Sequence, residues 1–243
     1  MRILLKIAYL GTAYHGWQVQ PNGVTVQQRM QDAIESVYKD RLALTGCSRT
    51  DAGVHANEFY CHYDTEKIIP ENGIVSALNS ALPQDIVVLE ASYVDEDFHA
   101  RYSAKGKNYV YKILNTKTSS PFESDRCWHI SRKLDLERIN EFLSALVGKN
   151  DFEAFSSSGR TVTDTVRTIT QCSAQRMGDY IIISVSADGF LYNMVRITVG
   201  TAVDVSDGKI EPCQARSIID SRDRSLAGIT APPQGLYLNK VFY

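Results

Sequence analysis

The apolar residues of this 243-residue chain follow two different spacings. In several segments apolar and polar residues alternate, which is the pattern of a half-buried β-strand. The first of these covers residues 2–10. Further strands are predicted over residues 42–45, 58–63, 86–94, 105–113, 166–175 and 180–187, with a short one at Trp128 and a last one ending at Tyr243. The residues Met177-Gly178-Asp179 between two of these strands predict a hairpin.

Other segments repeat their apolar residues every three or four positions, as amphipathic helices do. Thr25 and Gln28 form a capping-box pattern that begins one helix, and its predicted apolar face is Val26, Met30, Ala33, Ile34 and Val37. Pro70 opens a second helix with Ile74, Val75, Leu78 and Leu82, and Asp135 caps a third that ends near Gly148. A buried helix is predicted over residues 190–200 and a short one over residues 213–221.

Composition narrows the class of protein. The chain is 44% hydrophobic, and no apolar run approaches the length of a membrane span. Its first residues alternate like a strand and lack the apolar core and cleavage site of a signal peptide, so a cytoplasmic location is expected. The five cysteines are scattered and show no C-x-x-C pair, which favours reduced thiols over a disulfide framework or a zinc site.

The charge is uneven along the chain. The net charge of −2 taken alone speaks against a nucleic-acid-binding protein. Residues 101–117, however, contain five basic residues and no acidic one. The sequence therefore predicts a local basic surface on a slightly acidic protein.

One carboxylate lies in a segment rich in small residues between two predicted strands. Asp51 is flanked by Arg49 and Thr50 and is followed by Gly53. In an extended chain Arg49 would share the face of Asp51 and could keep the carboxylate ionised or hold a phosphate. The alternative is an ordinary turn, in which Asp bonds its own backbone and Gly supplies a positive φ. The whole segment reads Gly46-Cys47-Ser48-Arg49-Thr50-Asp51-Ala52-Gly53-Val54-His55-Ala56.

This segment resembles the catalytic motif of the tRNA pseudouridine synthase A family, and Ser48 stands where the family pattern usually has a second Gly. Four further segments resemble the same family and spread the resemblance over nearly the whole chain. They are residues 14–27 with Tyr14-His15-Gly16-Trp17-Gln18, residues 98–104 with Phe98-His99-Ala100-Arg101, residues 194–200 with Met194-Val195-Arg196, and the run Pro232-Pro233-Gln234-Gly235-Leu236.

The resemblance implies an α+β fold with two pseudo-symmetric halves around a central RNA-binding catalytic cleft. Each half would be a mainly antiparallel sheet with helices on one side. We divide the chain into residues 1–104, which carry the Asp loop, and residues 105–243, which carry the Tyr-rich strand and the Met-Val-Arg helix.

The resemblance also implies the site. Asp51 would be the nucleophile and Arg196 would pair with it, although an arginine in an apolar helix could also pair with any other acid. Tyr109 matches the family tyrosine that stacks on the base, and its hydroxyl is a candidate general base. Alternating tyrosines such as Tyr109 and Tyr111 are, in isolation, more often packing residues. The predicted substrate-binding residues are Tyr109, Arg49, Arg101, Lys105 and Lys107, and the loop at residues 155–160 is either a phosphate contact or an unbound surface loop.

Family membership further implies a tRNA substrate, modified at neighbouring uridines of the anticodon stem-loop, and a homodimer. No cofactor or metal is expected, since the isomerisation needs no outside group and no P-loop or Rossmann fingerprint is present. Two alternatives remain open, a non-catalytic RNA-binding module and an N-glycoside hydrolase. The hydrolase is disfavoured because the matching motifs contain no second carboxylate.

Overall fold

A computed structural model describes residues 1–159 and 163–243. The chain forms two units, one of residues 1–105 with 237–243 and one of residues 106–236. The strands are β1 (Arg2–Tyr9), β2 (Thr45–Gly46), β3 (His55–Asp64), β4 (Ile86–Val94), β5 (Gly106–Leu114), β6 (Trp128–His129), β7 (Gly148–Asp151), β8 (Val166–Met177), β9 (Tyr180–Ala187) and β10 (Leu236–Phe242). The α-helices are α1 (Val26–Tyr38), α2 (Glu71–Ala81), α3 (Leu136–Ala145), α4 (Met194–Ser206) and α5 (Ala215–Ser221).

The sheet of the first unit is built around β1. This strand pairs antiparallel with β3 on one side and with β4 on the other. The short β2 pairs antiparallel with β3, and β10 pairs with β3 in parallel. The alternation predicted for the first strand is confirmed, because Ile3, Leu5, Ile7 and Tyr9 are buried on one face.

The two helices of the first unit begin where the sequence predicts. The Thr25 side chain accepts a hydrogen bond from the backbone N–H of Gln28 and so caps α1. Met30 and Ile34 lie on its buried face, but Tyr38 takes the last buried position and Val37 is only partly buried. Pro70 precedes α2, which packs on β4.

The sheet of the second unit has the order β5–β9–β8–β7, with every neighbouring pair antiparallel, and β6 pairs with β5 in parallel. The predicted hairpin is confirmed. Met177 pairs with Tyr180 at its end, and Gly178 supplies the positive φ of 60° that the tight turn requires.

Helices α3 and α4 pack together in the second unit, and α3 also lies on β8. The Asp135 carboxylate caps α3 by accepting hydrogen bonds from the backbone N–H groups of Glu137 and Arg138. The buried helix predicted over residues 190–200 instead begins at Met194 and continues to Ser206. The prediction was wrong at its start because Asn193 has a left-handed backbone, with φ of 60°, which a right-handed helix cannot continue through.

The strand predicted over residues 42–45 is also wrong, since β2 contains only Thr45 and Gly46. The reason lies in α1, whose glutamine side chains bond the carbonyls just before the strand. Gln27 Nε2 donates to the Leu44 carbonyl at 2.8 Å and Gln31 Nε2 to the Leu42 carbonyl at 3.5 Å. Side chains rather than a neighbouring strand therefore bond these two carbonyls.

All of β10 except Leu236 lies in the first unit, whereas the division of the sequence after residue 104 placed the last strand with the second half. Its parallel pairing with β3, at Tyr237 with His55 and Leu238 with Ala56, is the reason. A parallel partner distant in sequence leaves no local signal in the chain. Within the described residues, no helix has both the length and the apolar content needed to cross a membrane.

Gly200 provides a test of the packing in the second unit. A Cβ at this position would lie 1.8 Å from the Ile229 carbonyl oxygen, which is backbone and cannot rotate away. We expect Gly200→Ala to lower the free energy of unfolding by about 3 kcal/mol, as overpacking does, measured by urea denaturation.

The control is Gly73→Ala in α2, where the added Cβ would meet side-chain atoms alone, Ile69 Cγ2 at 3.2 Å and Pro70 Cδ at 3.9 Å. This change should leave stability equal or raise it by up to about 1 kcal/mol, because Ala favours a helix over Gly. A Gly200→Ala protein as stable as the wild type would contradict the close packing.

Candidate functional site

Asp51 lies on a tight turn between β2 and β3. The turn is closed by a hydrogen bond from the Val54 N–H to the Asp51 carbonyl at 3.1 Å, and Gly53 within it has φ of 78°. The Asp51 residue is half-buried, whereas Arg49 is exposed. The turn that the sequence offered as an alternative is thus correct for the backbone, and Asp51 lies at the edge of the core rather than inside it.

The loop at residues 14–17 packs against this turn and is hydrogen-bonded to it. Gly16, with φ of 80°, packs so closely that a Cβ there would lie 2.3 Å from the Thr50 carbonyl oxygen. The Trp17 N–H donates to that carbonyl at 3.1 Å, and the Gly53 N–H donates to the Tyr14 carbonyl at 3.2 Å. The aromatic signature at residues 14–17 therefore holds the Asp51 turn in place.

Two further polar contacts fix the residues on either side of Asp51. The Tyr9 hydroxyl and the Thr50 hydroxyl are 2.8 Å apart in a buried hydrogen bond. The Gly11 N–H donates to His55 Nδ1 at 2.9 Å, and the His55 ring packs against Tyr237 with centroids 4.6 Å apart. The sequence analysis did not predict the contacts that Tyr9 and His55 make to this turn. For His55 the sequence did contain a signal, because His55 lies within the motif around Asp51.

Tyr14 anchors the supporting loop to the end of the sheet. Its hydroxyl donates to the Asp85 carboxylate at 2.6 Å. Burial, together with this bond, raises the pKa of the Tyr14 phenol above its usual value, so the phenol stays protonated at neutral pH. Tyr14 thus acts as a neutral hydrogen-bond donor in a structural role.

Arg196 lies in the first turn of α4 in the second unit. It is half-buried, within the segment that the sequence predicts to be a buried helix. Its Nε donates to the Ala231 carbonyl at 2.7 Å, its Nη1 donates to Asn193 Oδ1 at 2.8 Å, and the Ala231 N–H donates back to the Arg196 carbonyl at 3.0 Å. The guanidinium is therefore held by the segment after α5 and by the residue that precedes its own helix.

The two tyrosines of β5 have different surroundings. Tyr111 is fully buried, its hydroxyl donates to the Pro232 carbonyl at 2.7 Å, and its ring packs edge-on against Trp128. Burial raises the pKa of the Tyr111 phenol, so this residue is a neutral core group. Tyr109 is also buried and packs edge-on against Phe190, with ring centroids 4.9 Å apart.

The structure places the predicted site residues in both units. Asp51, Arg49, Arg101 and Lys105 belong to the first unit, and Lys107, Tyr109 and Arg196 belong to the second. Arg101 and Lys105 are exposed and Lys107 is half-buried, and the Arg101 guanidinium lies 5.7 Å from the centre of the Tyr102 ring.

The predicted pairing of Arg196 with Asp51 stays a prediction.

Arg160 of the predicted phosphate-contact loop lies outside the described residues. Among the residues that are described, no three or more His, Cys, Asp or Glu side chains are grouped to hold a metal ion.

Comparison with known proteins connects this geometry to a family. Residues 6–103 and 143–243 match the family model described as tRNA pseudouridine synthase. The chain is 48% identical over 241 residues to the tRNA pseudouridine synthase A of Thermoanaerobacter sp. (strain X514), a match that covers 99% of both proteins. It is likewise 48% identical to tRNA pseudouridine synthase A 2 of Clostridium perfringens and 46% identical to tRNA pseudouridine synthase A of Acetivibrio thermocellus, again over 99% of each chain.

These matches extend over almost the whole length of both proteins. The mixed architecture, with a mostly antiparallel sheet and helices packed on it, is that of the pseudouridine synthase fold. The chain therefore belongs to the tRNA pseudouridine synthase family and is an isomerase of the α+β class.

Proposed function

We propose that this protein converts uridine to pseudouridine in the anticodon stem-loop of tRNA, with Asp51 as the nucleophile. The observation that carries the proposal is the half-buried Asp51 on a turn whose backbone is bonded by Tyr14 and Trp17, in a chain that matches tRNA pseudouridine synthase A over 99% of its length. A catalytic side chain needs a backbone that is fixed in this way, because a small displacement of the reacting group strongly reduces the rate of the reaction.

The reaction breaks the N1–C1′ glycosidic bond, turns the uracil ring and joins C5 to C1′. N1 gains a proton and C5 loses one, so the atoms and electrons balance without a cofactor. A stacked base cannot turn in place, so the target nucleotide must be flipped out of the RNA. The Asp51 carboxylate then attacks either C1′ of the sugar or C6 of the ring, and both routes require it to be ionised.

The other residues have supporting roles in this proposal. Arg196 would pair with Asp51 and keep it charged and oriented. Tyr109 would stack on the uracil, and its hydroxyl would accept the C5 proton. Arg49, Arg101, Lys105 and Lys107 would contact the RNA backbone, which supplies affinity without sequence information. The proposal includes a homodimer in the cytoplasm, as expected from the family.

Product analysis with Asp51→Asn tests the central assignment. Asn keeps the shape of the side chain and removes its nucleophilic charge. We expect wild-type protein to form pseudouridine in unmodified tRNA, and Asp51→Asn to be slower by at least about 10⁴-fold with nearly unchanged tRNA affinity. Nucleoside analysis by mass spectrometry and a filter-binding assay provide the two measurements.

The products also separate the alternatives. Free uracil would identify an N-glycoside hydrolase, and bound but unchanged RNA would identify a binding module. Asp32→Asn on the exposed part of α1 is the matched control and should retain wild-type activity, since Asp32 pairs only with Arg41 in the described structure. Pseudouridine formed by Asp51→Asn at a wild-type rate would refute the role of Asp51.

Tyr109 is tested by two substitutions. Tyr109→Phe keeps the ring and removes the hydroxyl, so kcat should fall by roughly 10²-fold or more if the phenol is the base. Tyr109→Ala also removes the ring and should weaken tRNA binding by a further 1–3 kcal/mol, roughly the value of one stacked base. Steady-state kinetics and binding titrations measure the two effects.

Tyr180→Phe, at the hairpin end of β9, serves as the control for losing a phenol elsewhere and should behave as wild type. If both Tyr109 variants turn over tRNA at the wild-type rate, Tyr109 is only a packing residue of its strand.

Arg196 is tested by charge removal. Arg196→Met leaves Asp51 without its cation, which should raise the pKa of that carboxyl and move the acid limb of the pH–rate profile to higher pH. We expect kcat near pH 7 to fall by roughly 100-fold or more. Stability should fall by about 1–2 kcal/mol through loss of the bonds to Ala231 and Asn193.

Arg196→Lys should recover only part of the activity, because Lys keeps the charge but lacks the planar fork of donors. The pH–rate profile and urea denaturation distinguish the two effects. An unchanged acid limb in Arg196→Met would show that Arg196 does not act on Asp51.

A further inference from the structure

Asn193 has an unusual backbone and an unusual side-chain role. It precedes α4 with a left-handed conformation, φ 60° and ψ 7°. Asn before a helix normally accepts a hydrogen bond from a backbone N–H of the first turn. Here its side chain makes no capping bond within the part of the chain that the structure describes. The amide is used for other contacts instead.

The two ends of the Asn193 amide bond different partners. Its Oδ1 accepts from Arg196 Nη1 at 2.8 Å, and its Nδ2 donates to Ser157 Oγ at 3.0 Å. These two bonds also fix which end of the amide carries the oxygen, because Arg196 can only donate. The amide thus links the guanidinium to the loop that contains Ser157.

Ser157, which accepts the bond from the Asn193 amide, is itself bonded to the backbone next to Asn193. The Ser157 N–H donates to the Tyr192 carbonyl at 3.1 Å, which joins this loop to the residue just before Asn193. The preceding residues Phe155 and Ser156 are both buried. Ser157 is therefore a fixed point against which the amide can be aligned.

Arg196 is consequently held at two atoms of one planar group. Ala231 accepts from Nε and Asn193 accepts from Nη1. A planar guanidinium bonded at two of its nitrogens cannot rotate about its long axis without breaking one of the bonds. The Asn193 bond thus adds a second fixed point to the one that the Ala231 carbonyl provides.

We propose that Asn193 is a positioning residue of the enzyme, whose amide sets the orientation in which Arg196 presents its remaining donors to the reacting carboxylate. The inference rests on the proposed function of Arg196. The left-handed backbone of Asn193 contributes to this positioning, because it turns the Asn193 side chain toward Arg196 and away from the helix N-terminus. Asn tolerates this conformation better than most residues, which reconciles the geometry with a stable fold.

Asn193→Gly separates positioning from structure. Gly adopts the left-handed conformation without strain, so the backbone should keep its path and Tm should change by no more than a few degrees. The variant loses the amide, and kcat should fall roughly ten- to hundredfold with KM nearly unchanged. Its acid limb should shift to higher pH, because a less well oriented guanidinium lowers the pKa of the carboxylate less.

The chain offers a matched control in Lys39, which follows α1 with φ of 57° and donates to the Ser36 carbonyl. Lys39→Gly makes the same left-handed glycine substitution in the other unit. Its kcat and acid limb should equal those of wild type, and its Tm should stay the same or rise slightly. Ser157→Ala removes the anchor of the amide and should give a smaller loss of kcat than Asn193→Gly.

Coupling to Arg196 is tested with the double variant. If Asn193 acts through Arg196, the loss of kcat in Asn193→Gly with Arg196→Lys should be smaller than the product of the two single losses. Losses that multiply would show that Asn193 acts independently, and this would overturn the inference.

Two further results would overturn it while leaving the proposed function in place. One is a wild-type kcat and pH profile in Asn193→Gly. The other is a loss of activity that appears only together with a large fall in Tm, which would make Asn193 a structural residue. A wild-type protein that forms no pseudouridine would instead refute the proposed function itself, and the inference with it.

Discussion

The hydrogen-bonding requirement of the Arg196 guanidinium shapes one side of the second unit. A charged group half-buried beside Val195 and Ile197 is unstable unless acceptors replace the water it has lost. The chain meets this requirement with the Ala231 carbonyl and the Asn193 amide. The segment that carries Ala231 is in turn bonded to α4, where the Thr201 hydroxyl accepts from the Gly228 N–H at 2.9 Å.

The segment that carries Ala231 is also held by close packing of its backbone against α4. The Ile229 carbonyl lies so near Gly200 that no side chain fits between them, and the Tyr111 hydroxyl donates to the Pro232 carbonyl. The run from Gly228 to Pro232 is therefore fixed by a helix glycine, a helix hydroxyl and a core tyrosine. A carbonyl on such a segment can orient a cation without being reorganised when substrate binds.

The same principle operates in the first unit with different groups. The Asp51 turn is held through backbone contacts to residues 14–17, and Gly16 permits the approach because it has no Cβ and a positive φ. Buried hydroxyl and imidazole contacts at Thr50 and His55 fix the two ends of the turn. In both units, residues that perform no chemistry set the position of the group proposed to perform it.

The sequence by itself determined the local elements and the chemical groups. Alternation in residues 2–10 and the caps at Thr25 and Asp135 predicted a strand and two helix starts correctly, because these signals depend on neighbours only a few residues away. The motif around Asp51 and the Met-Val-Arg run also indicated the family, because each motif consists of residues that are adjacent in the sequence. Only the tertiary structure decided that β2 begins no earlier than Thr45, because glutamines of α1 bond the carbonyls before it, that β10 returns to β3, and that Asn193 bonds Arg196 instead of capping α4. Each of these depends on which distant donor and acceptor meet once the chain is packed, and spacing along the chain does not encode that choice.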